Sequence, residues 1–439
     1  MKYHIITYGC QMNEADSDLM ASLFAARGWE RAPVREDADL IVINTCSVRQ
    51  RPEHKVFSTL GELRPWKNSR ANTILVVAGC MAQRAGEEIL KRAPHVDIVI
   101  GTRAFHRIEE FIERVKSGES HISARELDGD PSRARCGAGL DIISAPLRAF
   151  VPIIRGCTNF CSYCIVPHVR GPEVSRPADD ILREVESLVG HGTREITLLG
   201  QNVLAYGRDR EEDATFHTLL ARLNDVEGLW RIRFMTSHPR DVTDDLIEAM
   251  ANLTKVCEHI HLPIQAGTDK LLREMGRGYT VADYLRTLEK FRSSVPGLAV
   301  TTDIMVGFPG ETEEEFEESL DLYRRVRFDA AFTFAYSPRP GTAAADRIDQ
   351  VPSPVRIERL CRLIEMQNRI TIERNEERIG EEAEVLIDGP AQRGEGLLAG
   401  RARDNRQVIL AGDPALAAAV RVVRLREACL WGLKAVPNP

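Results

Sequence analysis

The sequence predicts an α/β protein in three parts: an N-terminal parallel-sheet α/β unit, a central incomplete (β/α)6 barrel and a small antiparallel β-barrel at the C-terminal end. Three observations predict it. Short β-branched runs alternate with amphipathic stretches up to about residue 125. The same strand-then-helix order recurs six times between about 148 and 375, and from about 376 short strands follow one another across Gly-rich turns.

In the first part, 1–125, the strands are "YHIITYGC", "LIVINTC", "TILVVAGC" and "VDIVIGT", with "EADSDLMASLFAARG" and "AQRAGEEILKRAP" as helices between them. Buried strands alternating with helices imply a parallel sheet covered on its faces. Residues 126–147 carry Gly, Pro and charge without period and read as a linker. In the second part, 148–375, the strands are "AFVPIIRG", "EITLLGQN", "RIRFMTS", "HIHLPIQ", "VTTDIMVGF" and "AAFTFAYS". Six such units make an open version of the eight-unit barrel, whose functional groups gather at the C-terminal strand ends. The third part, 376–439, has "EEAEVLIDG", "GLLAGRAR", "RQVILAG" and "AVRVVRL".

With 58 Lys and Arg against 65 Asp and Glu, the net charge of −7 excludes a globally basic nucleic-acid binder. Any nucleic acid must meet a local patch. Arg401, Arg403, Arg406, Arg421, Arg424 and Arg426, diluted only by Asp404 and Asp413, form the candidate. No apolar run is long enough to cross a bilayer and the N-terminus lacks the features of a signal peptide, so a cytoplasmic location away from membranes is expected. Ten cysteines in a reducing compartment favour metal or redox chemistry over disulfides.

Cys157, Cys161 and Cys164 follow C-x3-C-x2-C, in the loop after the first central strand. Three thiolates suit an iron–sulfur cluster with one open iron. Zinc with a remote fourth ligand, or ordinary part-buried thiols, are the alternatives. The x3 spacing, the aromatic Tyr163 before the last Cys and the six-unit barrel behind it tip the balance. The loop resembles that of the radical S-adenosylmethionine (SAM) enzymes. The resemblance implies that SAM chelates the open iron and is cleaved reductively to a 5′-deoxyadenosyl radical.

Cys10, Cys46 and Cys80 each close a strand of the first part. A Cys ending one buried strand is usually a small core residue. On a parallel sheet, however, carboxyl ends share one edge, so three in succession can converge on a second cluster. "TYGCQMNEADS", "NTCSVR", "GCMAQR", "GCTNFCSYCIVPHVRG", "LLGQNV", "TSHP", "HLPIQAGT", "RGYT", "DIMVGFPGET" and "SPRPGT" run in order along nearly the whole chain. This set resembles the methylthiotransferase family, in particular its tRNA-modifying branch, with His168 standing where an aromatic is common. The resemblance implies two 4Fe–4S clusters, on Cys10, Cys46, Cys80 and on Cys157, Cys161, Cys164. It also implies SAM as cofactor and a C-terminal TRAM-like module that binds RNA. The implied reaction is methylthiolation of C2 of N6-isopentenyladenosine at tRNA position 37. One SAM gives a methyl group and a second gives the radical. The implied partners are a tRNA anticodon stem-loop, a reductant such as flavodoxin or ferredoxin, and a sulfur donor. The protein is expected to act as a monomer.

Gln201 and Asn202 end the second central strand and Ser237 the third, where they are candidates for binding SAM or substrate. His261 and Gln265 alternate with apolar residues on the fourth strand, and Asp303 lies on the fifth. Tyr163 joins this cofactor-binding set. A turn role or a buried, satisfied side chain is the competing reading for each. Thr312 is the expected N-cap of an acidic helix. Two further functions remain open at this point. One keeps the chemistry and changes the target, to threonylcarbamoyl-adenosine in tRNA or an aspartate of a ribosomal protein. The other is a non-catalytic iron–sulfur sensor that binds RNA.

Overall fold

The computed structural model describes residues 1–47, 50–70, 72–127, 146–210 and 214–437. The expected linker, 126–147, falls almost wholly outside the described residues. No helix among them is long and apolar enough to cross a membrane.

Strands β1 (Lys2–Tyr8), β2 (Glu30–Arg31), β3 (Leu40–Thr45), β4 (Ile74–Gly79), β5 (Ile98–Ile100) and β6 (Ile122–Ala124) form one parallel sheet in the order β2-β1-β3-β4-β5-β6. Helices α1 (Gln11–Ala26), α2 (Gln50–Ser69), α3 (Cys80–Arg92) and α4 (Ile108–Lys116) cover its faces. Alternation makes each central strand serve two cores. Leu40 and Val42 of β3 pack with Met20 and Phe24 of α1 and Phe111 of α4. Ile41 and Ile43 pack with Leu60 and Leu63 of α2 and Ile89 of α3. This explains why β3 and β4 read as unbroken apolar runs.

The central part contributes β7 (Arg148–Pro152), the short strands β8 (Ile154–Arg155) and β9 (Val174–Ser175), then β10 (Glu195–Leu199), β11 (Arg231–Phe234), β12 (His259–His261), β13 (Ala299–Val306) and β14 (Ala330–Ala335). Parallel pairing joins β7-β10-β11 and β12-β13-β14. Ile232 N donates to Lys255 O at 2.7 Å and Cys257 N to Ile232 O at 3.0 Å, which carries the ladder from β11 toward β12. The result is the expected open six-unit barrel. One strand differs from its sequence reading. "AFVPIIRG" is broken after Pro152, and its second half pairs antiparallel as β8 with β9. Proline cannot donate to a ladder and is tolerated here because β7 is an edge strand. The break turns the chain into the cysteine loop.

Strands β15 (Glu382–Pro390), β16 (Leu397–Ala402), β17 (Gln407–Ala411), β18 (Val420–Cys429) and β19 (Gly432–Pro437) close a barrel in the order β15-β16-β17-β19-β18. Val385, Ile387, Leu398, Val408, Val423, Leu425 and Leu433 fill it. Its last strand was not apparent in the sequence, because only Leu433 and Ala435 mark the alternation.

This barrel sits against the N-terminal ends of the central strands, and that placement corrects the reading of the arginine patch. Arg403 is paired with Glu258 at 2.7 Å, and Arg406 with Asp329 at 2.5 Å and Asp404 at 2.6 Å. Arg401 donates to Asn405 O at 2.9 Å. From the other side, the fully buried Arg231 donates to Arg401 O at 2.7 Å and to the Glu384 carboxylate at 2.9 Å. Half of the patch is therefore part of a polar joint between barrel and core. Arg421, Arg424 and Arg426 on β18 are the members that remain exposed.

Candidate active site at two cysteine triads

Cys10, Cys46 and Cys80 lie just past the carboxyl ends of β1, β3 and β4, which are neighbours in the sheet. Buried Asn44, on β3, organises this edge. Its amide donates to Asn13 O at 2.8 Å and Ser17 Oγ at 2.9 Å, and Asn13 Oδ1 accepts from Cys10 Sγ at 3.4 Å. Gly79 precedes Cys80 with φ +96°, and a Cβ there would stand 2.4 Å from Thr45 O, so only glycine lets β4 deliver its cysteine. A hydrogen bond from Cys46 draws the Cys10 thiol down to about 6, against the effect of burial and with help from Arg170 nearby. Burial pushes the Cys80 thiol up, and Arg170 pulls the other way.

The second triad hangs between β8 and α5 (Val166–Arg170). Gly156 (φ +83°) opens the loop, where a Cβ would meet Pro172 O at 1.9 Å. Cys157 N donates to Gly171 O at 3.0 Å, and Cys164 N to Cys161 O at 2.9 Å. Ser162 anchors the loop to the core through Met275 O at 3.0 Å and receives Ala344 N at 2.8 Å. Burial pushes the Cys157 thiol up to about 11 and Cys164 up to about 12. Such thiols stay protonated at neutral pH unless a cation takes the proton's place. Arg277, 5% exposed, directs Nη1 at Cys161 Sγ across 3.5 Å.

The two triads are one construction. α5 begins two residues after Cys164, and its Val169, with Ile165 before it, packs on Cys80. At its end, Arg170 reaches Asp16 of α1 at 2.9 Å, while Arg155 of β8 reaches the other carboxylate oxygen at 2.7 Å. Asp16 is fully buried. Neither Arg170 nor Asp16 stood out in the sequence, and neither did Arg277.

The other candidates are at the same carboxyl ends. Gln201 Oε1 accepts from Gly156 N at 2.5 Å and so holds the loop's entry. Asn202 Nδ2 donates to Asp241 at 2.6 Å, while its Oδ1, Ser237 Oγ and His238 Nε2 are buried polar atoms without a hydrogen-bond partner among the described residues. Such atoms await a ligand or water. Burial, and then Arg277, lower His238 to about 3, so it is neutral at physiological pH. Tyr163 packs beside Met275 and Phe308. Gln265 takes φ +72°. His261 lies lower on the strand, with Nδ1 3.0 Å from Thr301 Oγ1 and Nε2 3.4 Å from Asp303. Thr312 caps the helix Glu313–Val326 by accepting from Glu315 N.

Comparison with known proteins adds to this geometry. The Radical SAM superfamily model matches residues 151–323, and the model described as "Uncharacterized protein family UPF0004" matches residues 2–101. The tRNA-2-methylthio-N6-dimethylallyladenosine synthase of Carboxydothermus hydrogenoformans is 47% identical over 437 residues, covering 99% of this chain and 98% of its own. The chain belongs to this synthase family. The Moorella thermoacetica member is 46% identical, covering 98% and 97%. Among solved structures, the radical SAM methyltransferase TsrM of Kitasatospora setae, with cobalamin and a 4Fe–4S cluster bound, superposes with a TM-score of 0.58. It is 13% identical and covers 91% of this chain and 77% of its own, a likeness of fold.

The donor chemistry fits two clusters, because each triad brings three thiols near one another: Cys10 with Cys46 and Cys80, and Cys164 with Cys157 and Cys161. Among the described residues no three His, Cys, Asp or Glu side chains close on a single ion.

Proposed function

We propose that this chain methylthiolates C2 of N6-dimethylallyladenosine in tRNA, at position 37 beside the anticodon. The observation that carries the reading is the coupling of the two triads through α5 and Asp16, in a chain matched end to end by synthases of that name. Cys157, Cys161 and Cys164 hold one 4Fe–4S cluster, and Cys10, Cys46 and Cys80 hold the other. When bound, clusters and SAM supply a radical that removes the C2 hydrogen, and the sulfur and methyl that replace it. Arg277 fixes Cys161, and Gln201 fixes the loop against β10. Asn202, Ser237, Gln265 and Tyr163 would hold SAM, and the neutral His238 would accept or donate a hydrogen bond there without adding charge. The protein works as a monomer in the cytoplasm, with a flavodoxin or ferredoxin as reductant and a separate sulfur donor. The mass of nucleosides released from RNA after anaerobic turnover tests the reading.

The C-terminal barrel binds the RNA backbone through Arg421, Arg424 and Arg426. Deleting residues 376–439 would uncover Arg231, so point changes probe the role more cleanly. Replacing the three arginines with Ala is expected to weaken tRNA binding. It should also flatten the dependence of log K on log salt by about 0.7–0.9 for each phosphate no longer neutralised. Filter binding across a salt series measures both, and an unchanged slope would remove these residues from the RNA path.

A further inference from the structure

The concave face of the open barrel is divided in two. Phe150 on β7, Leu199 on β10 and Met235 after β11 are roofed by Met12 and Ala15 of α1. The other half carries an exposed aromatic ring. Along β13, Val300, Ile304 and Val306 join the core under the outer helices, so Thr301, Asp303 and Met305 face the concavity. Phe332 of β14 pairs in register with Asp303. Its ring stands edge-on to His261, with centroids 5.7 Å apart at 75°. It remains 49% exposed, although it lies on the inner wall of a barrel. His261 is held by Thr301 Oγ1 at 3.0 Å and lies 3.4 Å from the Asp303 carboxylate, whose side chain is 27% exposed.

We propose that this wall of β12, β13 and β14 selects the N6 substituent of the target adenine. Phe332 packs on the dimethylallyl group, and Asp303 accepts the single remaining N6–H. This inference rests on the proposed function and reassigns His261 and Asp303 from the cofactor to the substrate. Three features favour this occupant. An exposed phenyl group in a concavity needs an apolar ligand. The Asp303 carboxylate, 27% exposed, keeps acceptor capacity beyond its contact with His261, and N6-alkyladenine offers a donor beside its apolar tail. The same carboxylate repels an N6 substituent that itself carries a carboxylate, such as threonylcarbamoyl, so it also acts against the wrong substrate. His261 positions Asp303 and supports Phe332.

The test uses the full-length reconstituted protein and three synthetic anticodon stem-loops bearing adenosine, dimethylallyladenosine or threonylcarbamoyl-adenosine. Binding is read by fluorescence anisotropy and turnover by nucleoside mass. Phe332→Ala is expected to weaken binding of the dimethylallyl RNA about tenfold, or 1.4 kcal/mol, and to leave the adenosine RNA within about twofold. Phe332→Leu keeps most of the preference. Asp303→Asn raises affinity for the threonylcarbamoyl RNA. Ile348→Ala, which removes a fully exposed side chain elsewhere, changes none of these values. If wild-type protein forms product on the dimethylallyl RNA while both Phe332 variants keep its full preference, or lose all RNAs equally, the wall is misassigned. If wild-type protein forms no product there, the proposed function fails and the wall with it.

Discussion

Replacing Cys157, Cys161 and Cys164 together with Ala is expected to leave roughly half the iron of the reconstituted protein and to abolish 5′-deoxyadenosine formation. These thiols sit in a loop pinned to the core by Ser162 and faced by Arg277, and burial keeps Cys157 and Cys164 protonated until a cation arrives. Replacing Cys10, Cys46 and Cys80 should also halve the iron, but it should spare SAM cleavage and stop only sulfur insertion. Iron analysis and chromatography of the nucleoside check both. Full iron content in the first variant would show that the loop is not a cluster site.

The second large effect is expected at Asp16. Its carboxylate is fully buried between Arg170 and Arg155, at 2.9 and 2.7 Å. Removing one partner of a buried ion group leaves charge uncompensated in a low dielectric, at a cost of about 3–5 kcal/mol. An exposed pair such as Arg92–Glu88 contributes about 0.5 kcal/mol or less. Asp16→Ala should therefore unfold at markedly lower denaturant concentration and loosen the N-terminal sheet from the core. It should lose methylthio product more than SAM cleavage, because the triads are held together less firmly. Asp16→Asn, which keeps hydrogen-bonding oxygen without charge, should fall between. Stability within about 0.5 kcal/mol of wild type for Asp16→Ala would mean that the buried ion group does not couple the two parts.

The contrast between Asp16 and the cysteines shows what was legible in the sequence. The cysteines could be found because local spacing marks one triad and strand ends mark the other. The strands themselves were visible because β3 and β4, buried on both faces, read as continuous apolar runs. Asp16 and Arg170 are separated by 154 positions, and nothing local distinguishes them from solvated charges. The same limit misled the reading of the arginine patch. Arg403 finds Glu258 across 145 positions and Arg406 finds Asp329 across 77, so a local count of charge could not reveal the pairing. Phe332 looked like an ordinary strand residue. Only the folded arrangement shows that its ring stays exposed beside His261.

The decisive experiment is anaerobic turnover of the reconstituted protein with SAM, reductant and a sulfide source. The substrate is an anticodon stem-loop carrying dimethylallyladenosine, read by the mass of its released nucleosides. Extruding a single-stranded loop base costs little, and the dimethylallyl group adds apolar surface to hold it. Gain of one methylthio group on that nucleoside is expected, with far less on the matching unmodified stem-loop. Equal product on both RNAs, or product only on threonylcarbamoyl-adenosine, would contradict the proposed reaction.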